Sequence, residues 1–175
     1  KNVIGVDVNQ KTVDTINTGN IHIVEPDLDV IVREAVSQGY LRAVTIPEPA
    51  DAFLIAVPTP FVSVKTEGSI PQPDLSYIEA AAKSVARVLK KGDIVILEST
   101  SPVGATEHMA AWLADARPDL TFPQIHGESS DIRVAYCPER VLPGHVVREL
   151  VENDRVIGGM THKCSAAAIE LYKIF

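Results

Sequence analysis

The chain alternates short, largely apolar runs with longer stretches whose apolar positions repeat at helical spacing. Runs at 2–7, 41–45, 53–57, 94–97 and 132–136 predict strands, and 155–157 is a last strand candidate. Between the first two, Asn9 predicts the cap of a helix with Val13 and Ile16 on one face and Gly19 as its stop. Glu25-Pro26-Asp27 opens a second helix, whose stripe is Leu28, Ile31, Val32, Ala35 and Val36 before Gly39. The run at 53–57 closes on Pro58-Thr59-Pro60, and 61–73, without periodicity, predicts a surface loop. Asp74 begins a helix carrying Leu75, Ile78, Ala82, Val85 and Leu89. A further helix carries Met109, Trp112 and Leu113. A loop spans 118–130, and a final helix starts near Ser165. Strands that are apolar throughout, separated by amphipathic helices, predict one α/β domain with a doubly wound parallel sheet covered on both faces.

Composition narrows the function. The 175 residues are 46% hydrophobic and 22% charged, an ordinary globular balance that excludes low-complexity disorder. A net charge of −7 and the absence of a basic run argue against nucleic acid as a partner. Apolar runs of about six residues fall far short of a bilayer span, and no signal peptide is visible. Cys137 and Cys164 stand far apart and outside any Cys-x-x-Cys pattern, which fits a reducing, cytoplasmic setting. The chain opens directly in a strand at Lys1 and stops in a helix at Ile174-Phe175, so a piece of a longer protein is expected.

Candidate chemistry gathers at the strand ends, where open parallel sheets bind ligands. Asp7 stands where a dinucleotide fold places the acid that accepts from both adenosine ribose hydroxyls. Such an acid repels a 2′-phosphate and favours NAD; a plain solvated acid is the other reading. Thr59 either offers a hydroxyl to a cofactor or stiffens its turn. Thr100 and Ser101 either donate to an oxyanion or start the following helix. Glu139 beside Arg140 is an acid/base group next to an anion-binding guanidinium, or a loop ion pair. The ten glycines contain no Gly-x-Gly-x-x-Gly, and only six residues precede Asp7, whereas that motif lies about 20 residues before the acid. The five histidines never fall at metal-ligand spacing, so no metal site is expected. Both cysteines read as structural thiols.

Ala56-Val57-Pro58-Thr59-Pro60, Glu98-Ser99-Thr100-Ser101-Pro102-Val103-Gly104 and Cys137-Pro138-Glu139-Arg140-Val141-Leu142-Pro143-Gly144 are similar, in order and spacing, to the UDP-glucose/GDP-mannose dehydrogenase family. Glu139-Arg140 followed by Pro143-Gly144 resembles the branch acting on N-acetylated hexosamines. So do Ile21-His22-Ile23-Val24-Glu25-Pro26 and Asn153-Asp154-Arg155-Val156-Ile157-Gly158-Gly159.

The resemblance implies a Rossmann-type NAD-binding domain over 1–175, lacking its first strand and glycine-rich turn. The dimerisation helix and nucleotide-sugar domain of the parent lie outside it. It further implies a four-electron oxidation of a sugar's primary alcohol to a carboxylate by two NAD⁺, through an aldehyde and an enzyme-bound thioester, for bacterial surface polysaccharide synthesis. Asp7, Thr59 and Thr100 would hold NAD. Thr100 would also place a water or alkoxide, Glu139 would assist thioester hydrolysis, and Arg140 with the Val141 backbone would contact a UDP-N-acetylhexosamine. UDP-N-acetyl-D-mannosamine is the substrate implied, with UDP-N-acetylglucosamine and UDP-glucose as alternatives. The family's catalytic lysine and nucleophilic cysteine match no residue here, so the 175-residue piece is expected to be inactive and the full-length protein to be a homodimer. Without the first strand, two strand edges are expected to stand unpaired. A non-catalytic nucleotide-binding module and an interaction domain on a flavodoxin-like sheet are the readings from other classes.

Overall fold

Each predicted strand of the sheet except the last forms where the apolar pattern places it. The computed structural model describes residues 1–62 and 71–174, in two units: 1–48 with 140–154, and 49–139 with 155–175.

In the first unit β1 (Val3–Val6) and β2 (Leu41–Val44) pair in parallel, with Val3 opposite Leu41 and Gly5 opposite Ala43. Two helices connect them, α1 (Gln10–Asn17) and α2 (Leu28–Ser37). The Asn9 side chain accepts from the Lys11 N–H and so caps α1. Gly19 closes α1 at a φ of 76°, where a side chain is strained. The Asn17 amide then completes the outer edge of β2, accepting from the Ala43 N–H at 2.7 Å and donating to its carbonyl at 2.9 Å. A side chain thus replaces the missing strand neighbour. The returning segment carries a short helix, α6 (Val146–Glu152).

The second unit holds a sheet in the order β3 (Ala52–Ile55), β4 (Ile94–Leu97), β5 (Arg133–Tyr136), β6 (Gly158–Gly159). The first three strands are parallel, and β6 is antiparallel to β5. Its four-residue β4 is apolar throughout because both faces are covered. Val95 and Leu97 pack with Ile78 and Ala82 of α3 (Ser76–Ala86) and with Met109 and Leu113 of α4 (Ala105–Ala116). Ile94 and Ile96 pack with Ala135, Cys137 and Ala168, the last from α7 (His162–Tyr172). The doubly wound α/β reading therefore holds. Among the described residues β1 and β2 form a two-stranded sheet of their own, and β3 and β6 are the edges of the four-stranded one.

The departures are local. The last strand is Gly158–Gly159 rather than 155–157, and at Gly159 only glycine fits against α7. A Cβ on Gly159 would lie 2.2 Å from the Ser165 nitrogen. Helix α7 begins at His162, before the expected Ser165, since the Thr161 hydroxyl caps the Cys164 N–H and Glu128 accepts from the His162 and Lys163 N–H groups. Helix α3 stops at Ala86, and Leu89 is buried from the turn that follows. The stretch read as a loop at 118–130 contains α5 (Pro123–His126) and a 3-10 turn at Gly127–Ser129. Of the loop expected at 61–73, Phe61 and Pro73 form an antiparallel bridge, and 63–70 lie outside the described residues.

Candidate functional site

The carboxyl ends of β3, β4 and β5 are tied together by their own loops. The Ile55 carbonyl accepts from the Glu98 N–H at 2.9 Å and from the Ser99 N–H at 3.2 Å. The Ser99 hydroxyl, buried, accepts from the Val57 N–H at 2.8 Å. Thr59 donates its hydroxyl proton to the Thr100 carbonyl at 2.6 Å, which joins the Pro58-Thr59-Pro60 turn to the loop after β4. Glu139 is joined to the same loop, its N–H donating to the Glu98 carbonyl at 3.2 Å. The structure therefore brings Thr59, Thr100 and Glu139 into one hydrogen-bonded set, with Thr100 and Glu139 exposed. The Thr59 proton is spent internally, so toward a ligand its oxygen is an acceptor.

Asp7, Arg140 and Val141 belong to the first unit. Asp7 follows β1, and its Oδ1 accepts from the Asn9 N–H at 2.8 Å. That bond fixes the carboxylate at the start of α1 and leaves Oδ2 without a donor among the described residues. A fixed carboxylate with an available oxygen at a strand end fits the adenosine ribose diol of NAD. Arg140 and the half-buried Val141 lie on the loop before α6. The Asn153 amide donates to the Arg140 carbonyl at 2.9 Å, and the Leu142 N–H donates to Glu149 at 2.8 Å. Glu25 secures the far end of that loop, accepting from Gly144 and Val146 N–H groups at 2.9 and 2.8 Å.

Sequence reasoning missed the partners of these residues. Glu98 accepts from the Tyr172 hydroxyl at 2.5 Å. Burial pushes the Glu98 carboxyl up from the usual glutamate value, against the pull of the Tyr172 hydrogen bond and the Arg155 guanidinium; nearby Glu139 adds to the rise. Burial likewise pushes the Tyr172 hydroxyl up, helped by Glu98 and Cys137. The Arg155 guanidinium covers the Tyr172 ring at 4.6 Å. An acid ending an apolar strand was the visible signal for Glu98; nothing in the sequence pointed from it to Tyr172. The second unit also has an open cleft of about 340 Å³ at the start of α4, lined by Ser101, Val103, Thr106, Tyr136 and Met160. Thr59, Thr100 and Glu139 do not line it. Both cysteines are buried, and the described residues hold no cluster able to bind a metal. No described helix is long and apolar enough to cross a membrane.

The model of the UDP-glucose/GDP-mannose dehydrogenase family, NAD binding domain, matches residues 1–175. An NDP-N-acetyl-D-galactosaminuronic acid dehydrogenase of Ralstonia nicotianae is 72% identical over the whole chain, and a UDP-N-acetyl-D-mannosamine dehydrogenase of Yersinia pestis is 69% identical. The chain spans 40% of the length of each. Among solved structures, the UDP-N-acetyl-mannosamine dehydrogenase Cap5O of Staphylococcus aureus is 38% identical at a TM-score of 0.86, covering 99% of this chain and 40% of that one. The strand-end motifs, the parallel α/β sheet and these matches agree, and the chain belongs to the UDP-glucose/GDP-mannose dehydrogenase family through its NAD-binding domain.

Proposed function

We propose that the full-length protein oxidises UDP-N-acetyl-D-mannosamine to UDP-N-acetyl-D-mannosaminuronate for bacterial surface polysaccharide synthesis. One primary alcohol, one water and two NAD⁺ give one carboxylate, two NADH and three protons. The observation that carries the reading is the whole-chain likeness, at 65–69% identity, to relatives named for that substrate. NAD, when bound, accepts the hydride. Asp7 holds the adenosine ribose through the oxygen that Asn9 leaves available. Thr59 and Thr100 line the cofactor groove, and Thr100 also places a water or the developing alkoxide. Glu139, exposed and held by its backbone to Glu98, acts as base or water-orienting group for thioester hydrolysis. Arg140 and the Val141 backbone contact the nucleotide sugar. The chain is thus part of an NAD-binding domain whose parent acts as a homodimer, and the 175 residues alone turn over no sugar.

The 72% identity to the relative named for N-acetyl-D-galactosaminuronic acid favours a galacto-configured sugar nucleotide as the second reading. The test is NADH formed per sugar by the full-length protein, offered the UDP-linked N-acetylmannosamine, N-acetylglucosamine, N-acetylgalactosamine and glucose separately. Two NADH per UDP-N-acetylmannosamine, with little from the others, is expected. A preference for another sugar keeps the reaction and changes the substrate. No NADH from any of them, with the protein folded, leaves a non-catalytic nucleotide-binding module.

A further inference from the structure

The loop after β4 is anchored at one residue from three directions. The Glu98 N–H donates to Ile55, its carbonyl accepts from the Glu139 N–H, and its carboxyl accepts from Tyr172. Tyr172 ends α7 and is 8% exposed, seated among Ile94, Ile96, Ala135 and Cys137 under the Arg155 guanidinium. A phenol and a carboxyl drawn partly out of water are costlier to hold than an apolar pair unless they bond to each other, and here that bond ties the end of α7 to the loop after β4. What it fixes is the residue that holds both Glu139 and the chain leading to Thr100.

We propose that Glu98 and Tyr172 are positioning residues, a strut from the end of α7 that sets the placement of Glu139 and Thr100. The inference rests on the reaction assigned above for its kinetic consequence. Its geometry lies wholly within the second unit. The strut works through the hydrogen bond rather than through charge, so a neutral acceptor at position 98 preserves it and an apolar residue at either end abolishes it.

The experiment uses the full-length protein with Tyr172→Phe, Glu98→Gln and Glu98→Leu. Tyr172→Phe and Glu98→Leu are expected to lower kcat by about tenfold to a hundredfold, the scale of a misplaced reacting group, with wild-type NAD-binding stoichiometry. Glu98→Gln is expected to stay within about threefold of wild type, since its amide oxygen still accepts from Tyr172. Amide exchange at Glu139, followed in parallel, is expected to speed up in the two apolar variants and to stay slow in Glu98→Gln. If Tyr172→Phe does not fold, Glu98→Leu carries the test. Equal losses in Glu98→Gln and Glu98→Leu overturn the strut in favour of a charge effect, and unchanged Glu139 exchange in the apolar variants overturns it outright. A wild-type protein that oxidises no nucleotide sugar refutes the assigned reaction, and the exchange measurement then decides the strut alone.

Discussion

Glu25 shows how a single side chain holds a functional loop. It is 7% exposed, and its two carboxylate oxygens accept from Gly144 and Val146, more than a hundred positions away in the sequence. Glutamine offers one carbonyl oxygen and presents an N–H₂ to the other donor, so one partly buried backbone N–H loses its acceptor. Glu25→Gln is therefore expected to cost about 0.5–1.5 kcal/mol, read as a lower denaturant midpoint at unchanged slope. Glu98 gives a pH signature. Its folded-state carboxyl lies above the usual glutamate value, chiefly through burial, so the fold favours the neutral form. The stability tied to it is complete below the ordinary glutamate range and is lost as pH rises through the raised value. Glu98→Gln does not titrate, so its Tm relative to wild type should climb across that window in a series of melts. A constant difference from acid to neutral pH would show that Glu98 has no shifted carboxyl. At this scale the sequence was readable in the placement of Asp7, Thr59, Thr100 and Glu139, each in the segment that follows a strand. It was silent on Glu25 and Tyr172, whose roles come from partners 119 and 74 positions away.

Elements were legible wherever an apolar period ran long enough to choose between strand and helix. Ile94-Val95-Ile96-Leu97 declared a strand covered on both sides, and α3 and α4 declared their buried faces. Short elements lacked such a period. Helix α5 has only four residues behind the start signal of Pro123, and α6 begins without a side-chain cap. The displaced last strand was hidden for another reason, since β6 is two glycines, and the second is set by close approach to α7 and not by β propensity. Gly159 meets the first turn of α7 with its N–H donating to the Ser165 hydroxyl at 3.0 Å, and there is no room for a Cβ between them. The obstructing atoms are largely backbone, so α7 must shift to admit one. Gly159→Ala is expected to destabilise by about 1–3 kcal/mol, the cost of overpacking, while Gly158→Ala, with nothing within 4 Å of its Cβ, stays near wild type. Equal midpoints for the two variants in urea unfolding would show that the contact between β6 and α7 is not that tight.

The distribution of apolar burial sets how the molecule as a whole responds to stress. In the second unit, Val95, Ile96, Leu97, Ile132, Val134 and Ala135 are fully buried, and helices cover both faces of their sheet. Among the described residues of the first unit, Val13, Ala43 and Pro47 are the only buried apolar side chains, and Val3 and Val6 of β1 are about half exposed. A two-stranded sheet with so small a core has little beyond its own ladder and the Asn17 bridge to resist opening. Local opening free energy should therefore fall sharply from the second unit to the first. In native-state amide exchange of the 175-residue chain, the β4 and β5 amides are expected to exchange only by global unfolding. The amides of β1 and β2 are expected to exchange at least about a hundredfold faster, through opening of their unit alone. Adding denaturant sharpens the contrast, because global exchange accelerates with the full slope of unfolding and local exchange hardly at all. Equal protection in both sheets, with a common denaturant slope, would mean that the two units open as one cooperative block in spite of their unequal cores.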